Sequence, residues 1–323
     1  MPPQPSPAPS TPLLKPSLPR YLFIGPEGLR AGWSLLLFLF LTVALGRLTS
    51  PLLAGHVPQP ETNPLDPRPF LLTRLNIFLD LAIATWIMSR IERRPLAAYG
   101  SGAPRKLRRF AAGLLSGLLC VSALTACLWA TGLLVFDGLS LHGPAILRWA
   151  SVWAVGFLLV ALAEETSLRA YMQFTLTRGL TGVYRAGFKA KHRRTLGFWT
   201  AAALLAGLFI ANHSGNPGET RSGLAQMGLF ALLMCLSLWR TGSLWWAVGF
   251  HAAFDWGESF LFGVADSGWT IQGHLLQSHP SGNPLFSGGP TGPDGSLLAT
   301  AVWALAVLLL LWTTSKTPWP PTD

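Results

Sequence analysis

Two adjacent carboxylates follow an unbroken apolar stretch in this sequence. AVGFLLVALA runs directly into Glu164 and Glu165, and Arg169 lies four residues after Glu165. Carboxylates that are side by side and out of water repel each other if both ionise, so burial and the like charge both favour the protonated form. That is how a carboxyl becomes a usable general base or acid near neutral pH. On a helix, Arg169 shares the face of Glu165 and can hold it ionised. Glu164, turned about 100° away, is left free for another task. Further along, Phe209 precedes His213 by four residues, and His251 precedes Asp255 by four within GFHAAFDW. An Asp one turn from a His orients the imidazole, or serves as an oxygen ligand or a transition-state hydrogen-bond partner. Glu164, His213 and His251 could together hold a metal ion with water at an open position. Without a metal, Glu164 could act directly on a water that the two His and Asp255 position. Blander readings stand beside these. A lone His in an apolar helix needs only a hydrogen-bond partner, and paired Glu residues usually lie on a solvated face. The apolar run before Glu164 weakens the second.

The elements that carry these residues are apolar helices. Half of the 323 residues are hydrophobic and 12% are charged, about half the charged fraction of a soluble domain. Runs long enough to cross a bilayer lie at 31–54, 70–90, 109–135, 147–172, 196–213, 223–240, 243–262 and 296–314. The expected fold class is all-α, a polytopic transmembrane bundle of about eight spans. The net charge of +10 is concentrated in alternate linkers. Arg90, Arg93, Arg94, Arg105, Lys106, Arg108 and Arg109 fall between the second and third runs, and Arg178, Arg185, Lys189, Lys191, Arg193 and Arg194 between the fourth and fifth. Segments 136–146 and 263–295 have no Lys or Arg. This asymmetry predicts both termini in the cytoplasm and accounts for the charge without nucleic acid. The basic linkers can also touch anionic headgroups.

The rest of the chain reads as support. Residues 1–30 are a Pro-rich, polar, disordered cytoplasmic tail without signal-peptide features, residues 31–315 the transmembrane domain, and residues 316–323 a short cytoplasmic tail. Cys120, Cys127 and Cys235 all lie in apolar runs with no metal-ligand spacing. The Gly- and Pro-rich 263–295 segment reads as an irregular surface excursion, with Ser296 placed to cap the last helix and His274 and His279 in solvent. Asp80 reads as a partner of Arg74 or as cavity lining, and Glu258, one turn after Asp255, as a minor candidate for the site.

The three clusters, in order, resemble the signatures of the CAAX-protease and bacteriocin-processing family. Glu164, Glu165 and Arg169 match its E-E-x-x-x-R motif, Phe209 and His213 its F-x-x-x-H, and His251 and Asp255 its H-x-x-x-N or H-x-x-x-D. GSLWWAVGFHAAFDW is similar to its lead-in to the third motif. The likeness covers roughly residues 145–260, the expected catalytic core. Leu168 stands where an aromatic is common, and Ala170 where Gly is common; neither removes a reacting group. The resemblance implies an intramembrane endopeptidase acting on membrane-anchored proteins or peptides. Glu164 would activate water, and His213 and His251 would bind a metal, Zn2+ being the candidate, or position water and substrate. Asp255 would support the transition state, while Glu165 and Arg169 hold the geometry. The compact architecture points to the plasma membrane of a prokaryote.

One difficulty concerns depth. At a rise of ~1.5 Å per residue, His251 lies about 12 Å from Ser243, His213 about 26 Å from Leu196 and Glu165 about 20 Å from Arg178. Three straight helices entering at one level would not align these residues, so either 196–199 lies in the interface or tilt absorbs the difference. A proton- or ion-coupled transporter, or a catalytically idle scaffold or peptide-immunity relative, would also retain buried Glu and His residues.

Overall fold

The computed structural model describes residues 22–25, 28–55, 62–317 and 319. The Pro-rich tail lies outside these as far as residue 21. Its end is ordered as β1 (Ile24–Gly25) and β2 (Gly28–Leu29), a minimal antiparallel hairpin before α1 (Ala31–Leu53). Then follow α2 (Pro67–Ile91), α3 (Lys106–Ala130), β3 (Leu134–Leu139), α4 (Pro144–Val183), α5 (Ala190–His213) and α6 (Arg221–Thr241). After these come α7 (Trp245–Trp256), β4 (Leu276–Pro280), the single-turn α8 (Pro284–Ser287) and α9 (Ala299–Thr313). A helix stands at each apolar run. Six of them, α1 to α6, are long and apolar enough to cross a membrane, against the eight read from the sequence. α7 is an interior helix of 12 residues, with every residue from Trp246 to Asp255 buried, and α9 has 15 residues.

Local chemistry sets several boundaries. α2 begins with Pro67 after Asp66, whose side chain accepts from Arg68 N at 2.9 Å, an N-cap followed by the residue best suited to the first helical position. α6 ends at Gly242, which takes the left-handed conformation (φ 61°) that glycine adopts without steric cost. The third run ends at Ala130 rather than 135, because 134–139 pairs as β3 with β4. α4 continues past 172 to Val183 and widens to a π-helix over Glu165–Met172; a second π-helical stretch, Gly257–Phe262, prolongs α7.

The catalytic candidates on α7 are positioned by α3. A Cβ on Gly113 would lie 2.1 Å from Trp246 O, one on Gly117 2.4 Å from Phe250 O, and one on Gly249 2.3 Å from Phe110 O. These glycines let the two backbones touch, as small residues do between membrane helices.

The basic linkers gather at one end of the bundle. Arg178 pairs with Glu92 at 3.2 Å, Arg109 Nη2 donates to Thr317 Oγ1 at 3.1 Å, and Arg240 Nη2 donates to Thr314 O at 2.8 Å. Phe198, Trp199 and Trp239 cluster there with Trp319, an aromatic group of the kind found at membrane interfaces. Trp319 itself is buried against this cluster. At the other end, the 263–295 segment is built into the fold. Leu65 pairs with Ile271, Asn216 Nδ2 donates to Ser267 O at 3.0 Å, and Thr291 Oγ1 donates to Gly218 O at 3.0 Å. It is a packed cap, not the expected surface excursion, and residues 291–296 are buried. Ser296 Oγ accepts from Leu298 N at 3.0 Å, one residue ahead of α9. His279 is exposed and pairs with Asp137 across the β3–β4 ladder at 2.8 Å.

Candidate active site

Glu164 ends the α-helical part of α4, and its side chain is 30% exposed, toward an internal cavity of about 530 Å³. Glu165, the next residue, is fully buried. The two neighbours diverge, as the helical angle requires. Glu165 Oε1 accepts from His251 Nδ1 at 3.0 Å and lies 3.4 Å from Arg169 Nη1. The Arg169 guanidinium is buried and stacks over the Phe209 ring at 4.8 Å, so α4, α5 and α7 are tied through one charged pair. His251 Nε2 faces Asp255 Oδ2 at 3.3 Å and Glu164 Oε2 at 3.8 Å. Both imidazole nitrogens therefore face carboxylates. An imidazolium, donating from each nitrogen, satisfies that arrangement. Glu164 Oε2 has no hydrogen-bond partner among the described residues.

His213 lines the same cavity from the end of α5 but does not join this cluster. Its Nδ1 lies 2.8 Å from Phe209 O, one turn back. If Nδ1 carries the proton, Nε2 is left as an acceptor. Nearby, burial raises the Glu219 carboxyl, an effect that the Thr220 backbone N–H and His213 oppose. The Phe198–Trp199 aromatic cluster at the basic end carries the start of the apolar part of α5, which lets Phe209 meet Arg169 and leaves His213 one turn beyond it.

Residues 146–257 match the family model described as type II CAAX prenyl endopeptidase Rce1-like. That part of the chain is similar to CAAX-type proteases. That match and the apolar helices make it an integral membrane protein. No curated protein and no solved structure matches the chain. The Rce1-like segment contains Glu164, Glu165, Arg169, His213, His251 and Asp255, and ends one residue before Glu258.

A tetrahedral zinc site with bonds of ~2.0–2.1 Å needs donor atoms about 3.4 Å apart. Among the described residues, the ligating atoms that gather within 4.8 Å of one another belong to Glu258, Asp266 and Asp294, not to Glu164, His213 and His251. In this arrangement the Rce1-like donors do not fit zinc, and no step below is routed through a metal.

The structure adds residues to the cavity that the sequence left aside. Asp266, Ser267 and Asp294 line it from the cap, Asn216 from the α5–α6 turn, and Arg74 from α2. Burial pushes the Asp294 carboxyl up to about 7, against hydrogen bonds from Ser267 that favour its ionised form. Burial, then the charges of Asp255 and Asp294, hold Asp266 well above the usual carboxylate range. Asp80 does not pair with Arg74. It accepts from Thr49 Oγ1 at 2.9 Å and from Asn76 Nδ2 at 3.1 Å, between α1 and α2. The one signal that could have flagged Asp266 and Asp294 is their place in a segment without any Lys or Arg.

Proposed function

We propose that this protein is an intramembrane endopeptidase that hydrolyses peptide bonds of membrane-associated proteins or peptides, with Glu164 as the general base. The observation that carries this reading is the cluster's division of labour. Glu165, Arg169 and Asp255 fix His251, while Glu164 Oε2, 3.8 Å from His251 Nε2, has no hydrogen-bond partner among the described residues.

In this reading Glu164 removes a proton from water as the water oxygen attacks the scissile carbonyl. The positive His251, held between Glu165 and Asp255, stabilises the oxyanion as it forms; fixed charges of this kind act strongly where water is excluded. When the tetrahedral intermediate collapses, the C–N bond breaks and Glu164 delivers its proton to the leaving amine. His213, across the cavity, accepts a hydrogen bond from the attacking water through Nε2 and orients it. Arg169 is a positioning residue, since it acts through Glu165 and Phe209. Phe38, Leu39, Phe70, Phe157 and Met172 give the cavity an apolar side, suited to a substrate segment that arrives from lipid.

The basic end of the bundle is proposed to face the cytoplasm, with the 263–295 cap on the opposite face, in the plasma membrane of a prokaryote. The experiment is a membrane-proteome comparison of cells expressing the wild type or Glu164→Gln at matched levels. Fragments present only with the wild type are expected and would name the substrates. Identical fragment patterns in cells that process a known substrate of the wild type would contradict the reading.

A further inference from the structure

Glu258, Asp266 and Asp294 present carboxylate oxygens within 4.8 Å of one another at the capped end of the cavity. Glu258 and Asp294 are 0% and 2% exposed. Among the described residues no Lys, Arg or His forms an ion pair with any of the three. Each buried carboxylate uses one oxygen to hold the cap. Glu258 Oε1 accepts from Asp294 N at 3.0 Å, and Asp294 Oδ2 accepts from Ser267 Oγ at 3.0 Å and from Ser267 N at 3.2 Å. The other oxygen of each, Glu258 Oε2 and Asp294 Oδ1, is buried and has no hydrogen-bond partner among the described residues. Asp266 makes no side-chain hydrogen bond among the described residues. Isolated buried carboxylates are among the costliest groups a protein can carry, and among the described residues none of these three has a cation within ion-pair distance.

A fourth oxygen lies close by. Gly292, at φ +120°, lets Ala265 O and Asp294 Oδ1 approach the same point of its backbone; a Cβ there would lie 2.0 Å from the first and 2.8 Å from the second.

We infer that Glu258, Asp266 and Asp294, with the Ala265 carbonyl, bind a hard divalent cation of Ca2+ size. All-oxygen donor sets select such ions over zinc or copper. Ligands on opposite sides of Ca2+, at ~2.3–2.6 Å each, stand about 4.6–5.2 Å apart, which accommodates the observed spread. The ion would join the π-helical end of α7 to two points of the cap, 265–267 and 292–294. Through Asn216–Ser267 and Thr291–Gly218, it would also join the turn that follows His213. This site lies outside the Rce1-like segment and does not depend on the proteolytic reading.

The test uses the purified full-length protein in nanodiscs of uncharged lipid, stripped with EGTA and titrated with Ca2+ or Mg2+ alone. Calorimetry and thermal unfolding are the readouts, so activity is not required. Binding of one Ca2+ per chain and a rise in Tm with Ca2+ concentration are expected, with Mg2+ at least tenfold weaker. Asp266→Asn, the partly exposed ligand, should abolish the Ca2+ response while leaving the ion-free Tm unchanged, because the amide keeps the shape of the side chain. Asp294→Asn should do the same where it folds, and Asp80→Asn should retain the full response. Absence of Ca2+ binding at millimolar concentration would overturn the proposal. So would an equal response to Mg2+, or a response that survives in Asp266→Asn.

Discussion

The two acidic clusters of the cavity meet along one helix, α7 with its π-helical end, yet they handle charge in opposite ways. Around Glu164 three carboxylates meet Arg169 and His251, and the surplus negative charge rests on the half-exposed Glu164. Around Glu258 three carboxylates form no ion pair with a positive side chain among the described residues. The first cluster carries its own counter-ions and has a reactive group to spare. The second is incomplete as a set of protein atoms. The difference separates groups arranged to react from groups arranged to bind.

Removing the internal counter-ion from the first cluster has the largest expected effect. Arg169→Met would leave Glu165 buried beside His251 without its guanidinium, at an expected cost of about 3–5 kcal/mol in stability. Unfolding of the variant in nanodiscs should show this, and added Ca2+ should not restore it. A change below about 1 kcal/mol would mean that Arg169 is not what holds Glu165. Next in size is His213→Ala. His213 bonds only within its own helix turn, so stability should hold while kcat falls by about 10²-fold, the low end for a positioned acid–base group. Steady-state kinetics separate this from a KM effect. Gly117→Val would push α3 off the Phe250 carbonyl and move α7 under both clusters, with an expected loss of about 1–3 kcal/mol and a lower kcat; an unperturbed melting curve would show that the α3–α7 contact yields freely. The smallest effect is expected from a zinc-selective chelator, which should leave cleavage unchanged because the donors around Glu164 do not gather as zinc ligands. Loss of activity that added zinc restores would reverse that conclusion.

Much of this was legible in the residues. The helices follow from uninterrupted apolar runs, and Glu164, Glu165, His251 and Asp255 stand out because charge in such runs is costly. Helical spacing alone pairs Arg169 with Glu165, and the structure places them in contact. Other features depend on packing that spacing does not encode. The π-helical turns at Glu165–Met172 and Gly257–Phe262 have no sequence signature that we can name. The interior position of α7 follows from backbone contact at Gly113, Gly117 and Gly249, glycines that look unremarkable in a membrane helix. Asp266 and Asp294 were hidden because a segment rich in Gly and Pro reads as a solvated loop, whereas here its glycines permit tight packing against the bundle. Asp80 found Thr49 and Asn76 rather than Arg74, because α1 supplies a polar neighbour that an intrahelical reading does not consider.

Whether Glu164 is the base is decided by cleavage of a substrate named by the proteome comparison, by purified wild type and Glu164→Gln in nanodiscs with Ca2+ present. Glu164 is half-buried and outside the Arg169 ion pair, so the variant should melt with the wild type and lose at least about 10²-fold in kcat. A variant that melts normally and cleaves within a few fold of the wild type would contradict the assignment of Glu164 as the base.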